Sequence, residues 1–231
     1  MSTLTRSKQD YLKALYALGP DGERVATSSL AARLGVSPPS VTNMLGRLAG
    51  ERLVARAPRA GARLTARGRR AAIDMVRRHR ILETFLVRVL GLDWSEVHAD
   101  AEVLEHHISD RALDAIDRLV GHPSEDPHGH VIPDRRGNVR QRSLRPLVAL
   151  PKGSRARIRE IRDVDHARMA RWKAAGLVPG AVVRMADVRP VDDVFVLEVA
   201  GERLAIGSEG LEGVRVELET PPRSRRPRRR A

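Results

Sequence analysis

The sequence predicts a mainly α chain with small β elements: a winged helix-turn-helix first, a pair of long helices next, and a small β-barrel last. Three observations predict it. Apolar residues recur at helical spacing through the first half of the chain. Short β-branched segments replace them from about residue 153. Glycines and prolines punctuate both regions.

Leu4, Tyr11, Leu15 and Leu18 share one face of a first helix that ends at Gly19-Pro20. Leu30, Ala31 and Leu34 mark a short second helix stopped by Gly35, a residue free to take the left-handed cap conformation. Ser37 is a good N-cap and Pro38 suits the first helical position, so a third helix follows, with Val41, Leu45 and Leu48 as its buried stripe. Two short helices about a Gly-containing turn make a helix-turn-helix. The segment LVARAPRAGARLT then alternates and turns at Pro58 to Gly61, as a two-stranded wing would.

Thr65 caps a long helix from about 67 to 90, closed by Gly91. Asp93 to Glu96 resembles a capping box opening a second long helix that runs to near Gly121, with Val97, Ala101, Leu104 and Ile108 as its buried seam. Residues 122–150 are rich in Pro, Gly, His and Arg and read as a connector. Five short strands and one helix near 165–175 then suggest a β-barrel of about 70 residues. The expected divisions are 1–73, 74–140, a linker at 141–152, 153–220, and a basic unfolded tail at 221–231.

The net charge of +13 is unevenly placed. Residues 1–73 carry 13 Lys/Arg against 4 Asp/Glu, and the tail carries 6 Arg and no acid. A basic end domain suits a phosphate backbone, because neutralised phosphates release counterions. Without cysteine, disulfides, thiolate catalysis and Cys-type zinc sites are excluded. No apolar run approaches the ~20 residues of a membrane span and no signal-peptide core opens the chain. A cytoplasmic protein without a membrane partner is expected. No glycine-rich phosphate loop is present, so no organic cofactor is expected.

In a helix-turn-helix the second helix enters the major groove. Ser37, Pro39, Ser40, Thr42 and Asn43 lie at its N-terminal end and are short enough to allow close approach. Asn43 suits bidentate pairing with adenine. Arg47, Arg56, Arg59 and Arg63 suit phosphate contacts, which position without specifying.

On the long helix, His79 and Glu83 lie inside the apolar stripe Ala72, Val76, Leu86 and Leu90, where an unpaired carboxylate is costly. On the next helix His98, Glu102, Glu105 and His106 run along the edge of the seam. If the two helices pack, imidazoles and carboxylates converge as they would around a divalent transition metal. From spacing alone, a solvated polar face with occasional His–Glu hydrogen bonds remains equally open.

The segments RRHRILETFL and VHADAEVLEHHISD, the HPxxxPHGxxIP connector and the winged helix resemble the diphtheria-toxin-repressor family across nearly the whole chain. The stretch RARIREIRDVDHARMARWKAAGLVPG resembles the opening of that family's SH3-like, FeoA-type domain. The resemblance implies a homodimeric, metal-dependent transcriptional repressor of metal-homeostasis genes that binds palindromic operator DNA. It implies a primary metal site of Asp10, Glu102, Glu105 and His106 and an ancillary one of His79, Glu83 and His98, with Asp165 as a fourth ligand. It also implies an anion contact at Arg80. Iron-type members carry Met and Cys where this chain has Asp10 and Glu102. Mn²⁺ is therefore the expected ion, Fe²⁺ the next, and Co²⁺ or Zn²⁺ could enter in vitro. Two-domain manganese-dependent members carry a Glu where this chain has Lys13, and Arg168 replaces a glutamine near the ancillary site. Two other classes compete: a metal-independent winged-helix regulator, and a di-metal enzyme. The enzyme would need Glu-x-x-His from two helices, which is absent.

Overall fold

A computed structural model describes residues 4–20, 22–57, 60–162 and 166–219. The chain forms two compact units, residues 1–126 with 131–140, and residues 127–130 with 141–231.

The first unit opens with α1 (Arg6–Leu18), α2 (Thr27–Leu34) and α3 (Pro38–Gly50). Gly35 ends α2 at φ 64°, and the Ser37 side chain caps α3 by accepting from the Ser40 amide, with Pro38 at the first position. Strands β1 (Val54–Ala57) and β2 (Gly61–Leu64) pair antiparallel as the wing. Gly61 is held at φ 77° against the Val25 carbonyl, where a Cβ would collide with backbone. The Pro58-Arg59 end of the expected turn lies outside the described residues.

Thr65 caps α4 (Ala66–Arg88) by accepting from the Gly68 amide. At 23 residues, α4 is about 34 Å long and serves two separate cores. Tyr11, Leu12, Leu30, Val41, Leu48 and Ala72 belong to the first. Ile81, Leu82, Leu86, Val97, Ala101 and Leu113 belong to the second.

The expected second long helix is instead two helices, α5 (Val97–Leu104) and α6 (Asp110–Leu119). The seam is interrupted accordingly. Val97 and Ala101 are buried, Leu104 is 40% exposed, and Glu105 takes the inward position at 1%. Ser109 restarts the chain as an N-cap, its hydroxyl accepting from the Ala112 amide. Leu90 also departs from expectation. The α4 helix stops at Arg88, so Leu90 sits beyond the stripe and is exposed. Asp93 forms a local turn, accepting from the Ser95 amide, rather than a helix cap.

The second unit is a six-stranded antiparallel sheet in the order β3-β8-β4-β5-β6-β7, an SH3-like arrangement. Its strands are β3 (Arg145–Pro146), β4 (Arg155–Ile161), β5 (Val182–Arg189), β6 (Val194–Val199), β7 (Glu202–Ile206) and β8 (Val214–Leu218). All five expected strands form. The sixth, β3, lies ahead of the expected start at 153, because two residues pairing with Arg215 and Val216 carry no readable alternation. Helix α7 (His166–Ala174) packs Met169 and Trp172 into the sheet's core, and a one-turn α8 (Ser208–Leu211) offers its Gly210 carbonyl to the Trp172 indole at 2.7 Å. Among the described residues no helix is long and apolar enough to cross a membrane.

Candidate metal centres and the DNA-facing helix

Helix α3 exposes the side chains that the sequence singled out. Ser37, Pro39, Ser40, Thr42, Asn43 and Arg47 are all exposed, and so are Arg56 and Arg63 on the wing. Some of their bonding capacity is already used. The Thr42 hydroxyl donates to the Pro38 carbonyl at 3.0 Å, and the Ser37 and Ser40 hydroxyls lie 2.9 Å apart. Arg59 lies outside the described residues.

Two clusters of metal-ligand side chains sit deeper in the first unit. The first joins α4 to α5. The His79 Nε2 lies 2.8 Å from the Glu83 Oε1 one turn along α4, and 3.0 Å from the His98 Nδ1. Glu83 and His98 close the triangle at 3.3 Å. His79 and Glu83 are buried, whereas the His98 side chain is 41% exposed and opens the cluster to solvent.

The second cluster joins α1 to the end of α5. One ligand atom from each of Asp10, Glu102, Glu105 and His106 lies within 4.8 Å of all the others. The helix break places them. Glu105 caps α5, and the chain turns there, carrying His106 inward so that its side chain is 2% exposed. Gln9 then fixes the ring, its amide oxygen accepting from His106 Nδ1 at 2.6 Å. The other nitrogen, Nε2, carries a lone pair whenever the ring is neutral. It points at the Asp10 Oδ1 from 3.0 Å and the Glu105 Oε1 from 3.6 Å, yet it makes no hydrogen bond.

Three carboxylates and a ring nitrogen thus converge on one point. A divalent cation satisfies such a set, and the all-oxygen-and-imidazole donors suit the harder transition ions. A ring nitrogen oriented by a bond at its other nitrogen is also how histidine ligands are held.

The two clusters touch. His79 gives its Nδ1 to the Glu105 Oε2 at 2.6 Å while its Nε2 serves Glu83. Lys13, from α1, lies between them. Its Nζ is 2.6 Å from the Glu102 Oε1, 3.0 Å from each Glu105 oxygen and 3.2 Å from the His79 Nδ1. The electrostatics follow. Burial raises the Asp10 carboxyl above its ordinary range, with neighbouring His106 opposing. Burial also pushes Glu102 upward, but the Lys13 charge and hydrogen bond, aided by His79 and His98, outweigh it and hold that carboxyl low. Burial pushes His79 down, yet Glu83 and Glu105 prevail and keep it above the ordinary imidazole value.

The remaining expected residues lie elsewhere. Arg80 is outside both clusters, donating to the Val131 carbonyl at 2.5 Å with its Nε 3.6 Å from the Asp126 carboxylate. Asp165 lies outside the described residues. Sequence reasoning missed Gln9, whose only signal is its place beside Asp10 on α1. It also missed the His79–Glu105 contact, which joins residues 26 apart in sequence.

Comparison with known proteins covers most of the chain. A family model described as iron dependent repressor, N-terminal DNA binding domain, matches residues 3–62. Its companion, iron dependent repressor, metal binding and dimerisation domain, matches residues 65–134, and a FeoA domain model matches residues 145–218. The iron-dependent repressor IdeR of Mycobacterium leprae (strain TN) is 29% identical over 229 residues, which cover 94% of this chain and 99% of that protein. A manganese-dependent transcriptional repressor solved in complex with manganese superposes with a TM-score of 0.85 at 35% identity, covering 92% of this chain and 100% of that one. ScaR with bound Zn²⁺ superposes at 0.77 and 31% identity, covering 91% and 98%.

Proposed function

This chain belongs to the diphtheria-toxin-repressor family of metal-dependent transcriptional repressors, and from that premise we propose that Mn²⁺ is its effector, with Fe²⁺ the next candidate. The family's members are DNA-binding repressors rather than enzymes. In this reading Asp10, Glu102, Glu105 and His106 hold the activating ion, and His79, Glu83 and His98 hold an ancillary one. The absence of sulfur donors supports Mn²⁺ over softer ions. Co²⁺ and Zn²⁺ would enter the same sites in vitro.

One observation carries the reading. Asp10 stands on α1, whose Tyr11 and Leu12 belong to the first core, while Glu102, Glu105 and His106 stand at the end of α5, whose Val97 and Ala101 belong to the second. A bound divalent cation supplies positive charge that neutralises the carboxylates and joins those two helices. Asp10 and its partners thereby fix the angle between the helix-turn-helix and the central helices. Two recognition helices must stand roughly 34 Å apart to enter successive major grooves of a palindromic operator. Fixing the angle therefore raises the fraction of binding-competent dimers, and DNA in turn tightens metal binding.

The homodimer draws support from apolar side chains left exposed on the central helices, Val103, Leu104 and Leu119, and from Leu92 in the segment between α4 and α5. At the DNA, Ser37, Pro39, Ser40, Thr42 and Asn43 meet bases and nearby phosphates, and Arg47, Arg56, Arg59 and Arg63 meet the backbone. Residues 1–73 form the DNA-binding part, 74–140 the metal-binding and dimerisation part, and 153–220 the SH3-like domain, following a linker at 141–152. The protein works in the cytoplasm on genes of metal homeostasis.

The test uses a DNA site selected from random sequence in the presence of Mn²⁺. Wild type should bind it at least about 100-fold more tightly with Mn²⁺ than after chelation, within the usual span of allosteric coupling. Asp10→Ala should show little metal response. Equally tight binding by wild type after chelation would falsify the switch.

A further inference from the structure

Lys13 meets two carboxylates of the second cluster and the His79 ring of the first, and the proposed metal sites leave it without a task. It follows Asp10 by one helical turn on α1, so the same face of the same helix delivers a carboxylate and an ammonium to the end of α5. Its Nζ has three protons. Glu102 Oε1 at 2.6 Å and the two Glu105 oxygens at 3.0 Å each are within reach of all three. Glu105 has no exposed side-chain surface, so its charge depends on what the protein places beside it. The Lys13 side chain is 20% exposed, which leaves the ammonium a way out to solvent.

We propose that Lys13 is the resident cation of the metal-free state. It offsets part of the negative charge of Glu102 and Glu105, draws α1 onto the end of α5 before any ion arrives, and must be displaced when these carboxylates take a metal. The inference rests on the proposed role of the Asp10, Glu102, Glu105 and His106 set. Two cations cannot share the same oxygens at bonding distance, because their mutual repulsion is strong where water is excluded. Lys13 thus acts on metal binding through Glu102 and Glu105. It sets the metal concentration at which the switch closes, and it keeps the empty site from flying apart under its own negative charge.

Opposite effects on the two states follow. Lys13→Met keeps the length and apolar stem but removes the charge. The metal-free variant should melt several degrees below wild type, while its Mn²⁺ dissociation constant, read by competition with a fluorescent chelator, should fall by about tenfold or more. The Mn²⁺-induced rise in melting temperature should be larger than in wild type, as tighter native-state binding requires. Lys13→Arg, which keeps the charge, should stay near wild type in both measurements. If Lys13→Met does not fold without metal, the competition is run on Lys13→Gln, whose amide can still accept and donate hydrogen bonds.

A plain structural ion pair behaves differently, since its loss destabilises the free and loaded forms alike and leaves Mn²⁺ affinity unchanged or weaker. Either of those affinities overturns the proposal. Asp10→Ala and Glu105→Gln run alongside separate the two claims. If both bind Mn²⁺ as wild type does, or if wild type binds none, the site itself is misread and Lys13 falls with it. If both lose Mn²⁺ while Lys13→Met and Lys13→Gln are unaltered, only the role of Lys13 is wrong.

Discussion

The two clusters share a donor chemistry and differ in what they join. His79, Glu83 and His98 bring together α4 and α5, both of which already pack in the second core through Ile81, Leu82, Val97 and Ala101. Asp10, Glu102, Glu105 and His106 bring together α1 and α5, which belong to different cores. An ion in the first tightens a contact that apolar burial has made already. An ion in the second adds a connection that burial does not supply. The lesson concerns leverage: the same ligand set moves domains only where it spans parts of the fold that share no apolar core.

The sharpest way to break this comparison is to remove one carboxylate from each cluster. Glu105→Gln should weaken Mn²⁺ binding by more than 100-fold and remove the metal response of DNA binding, exceeding the 10–100-fold that outer-shell partners typically control. Glu105 also meets Lys13 and His79, so its loss disturbs both neighbours as well. Glu83→Gln should weaken Mn²⁺ binding by about tenfold or less and leave the DNA response largely intact. Isothermal titration beside a DNA-binding titration separates the two. Equal losses of DNA response would end the distinction between the clusters.

A gentler change sharpens it. Gln9 touches only the buried ring of His106 in the cluster, through the 2.6 Å bond to Nδ1. Gln9→Ala should free the ring to rotate and to change which nitrogen holds the proton. Mn²⁺ affinity should fall by about 10-fold with no ligand removed. Gln9→Glu should recover most of the loss, because a carboxylate also accepts from Nδ1–H. The same titration checks both variants.

How much of this was legible in the sequence depends on the range of the signal. The helix-turn-helix was readable because Gly35, Ser37 and Pro38 are local punctuation whose meaning does not depend on the rest of the fold. The five longer strands were readable from β-branched alternation, but the two-residue β3 was too short to carry a period. The break between α5 and α6 was misread because Val97, Ala101, Leu104 and Ile108 continue a helical period straight through it. The competing signal was Ser109-Asp110, a sound N-cap that the periodicity overrode. That error matters for the site, since the turn it hid carries His106 inward. Lys13 stood out as a departure from the manganese-dependent relatives, but its contacts with Glu102 and Glu105 span 89 and 92 residues, beyond any local pattern.

A third kind of acid gives the comparison its baseline. Asp134 is exposed, and its carboxylate accepts from the Asn138 backbone and side-chain amides at 2.8 and 2.7 Å and from the Arg136 amide at 2.8 Å. The Asn138 backbone and side-chain bonds, joined by the Arg136 amide, hold this carboxyl below its ordinary value. A carboxyl depressed in the folded state adds stability above its unfolded pKa of about 3.9 and loses that contribution as pH falls through the lower, folded value. Asp134→Asn should therefore melt slightly lower than wild type at neutral pH, and the two curves should converge on acidification below pH ~4. Mn²⁺ affinity at neutral pH should not change, because the loop at 134–138 has no part in either cluster. An exposed acid ties down its own turn, whereas the buried acids beside Lys13 and His106 are held where only a cation can satisfy them. A measurable loss of Mn²⁺ affinity in Asp134→Asn would show that this loop reaches the clusters after all, and that ligand burial alone does not mark out the site.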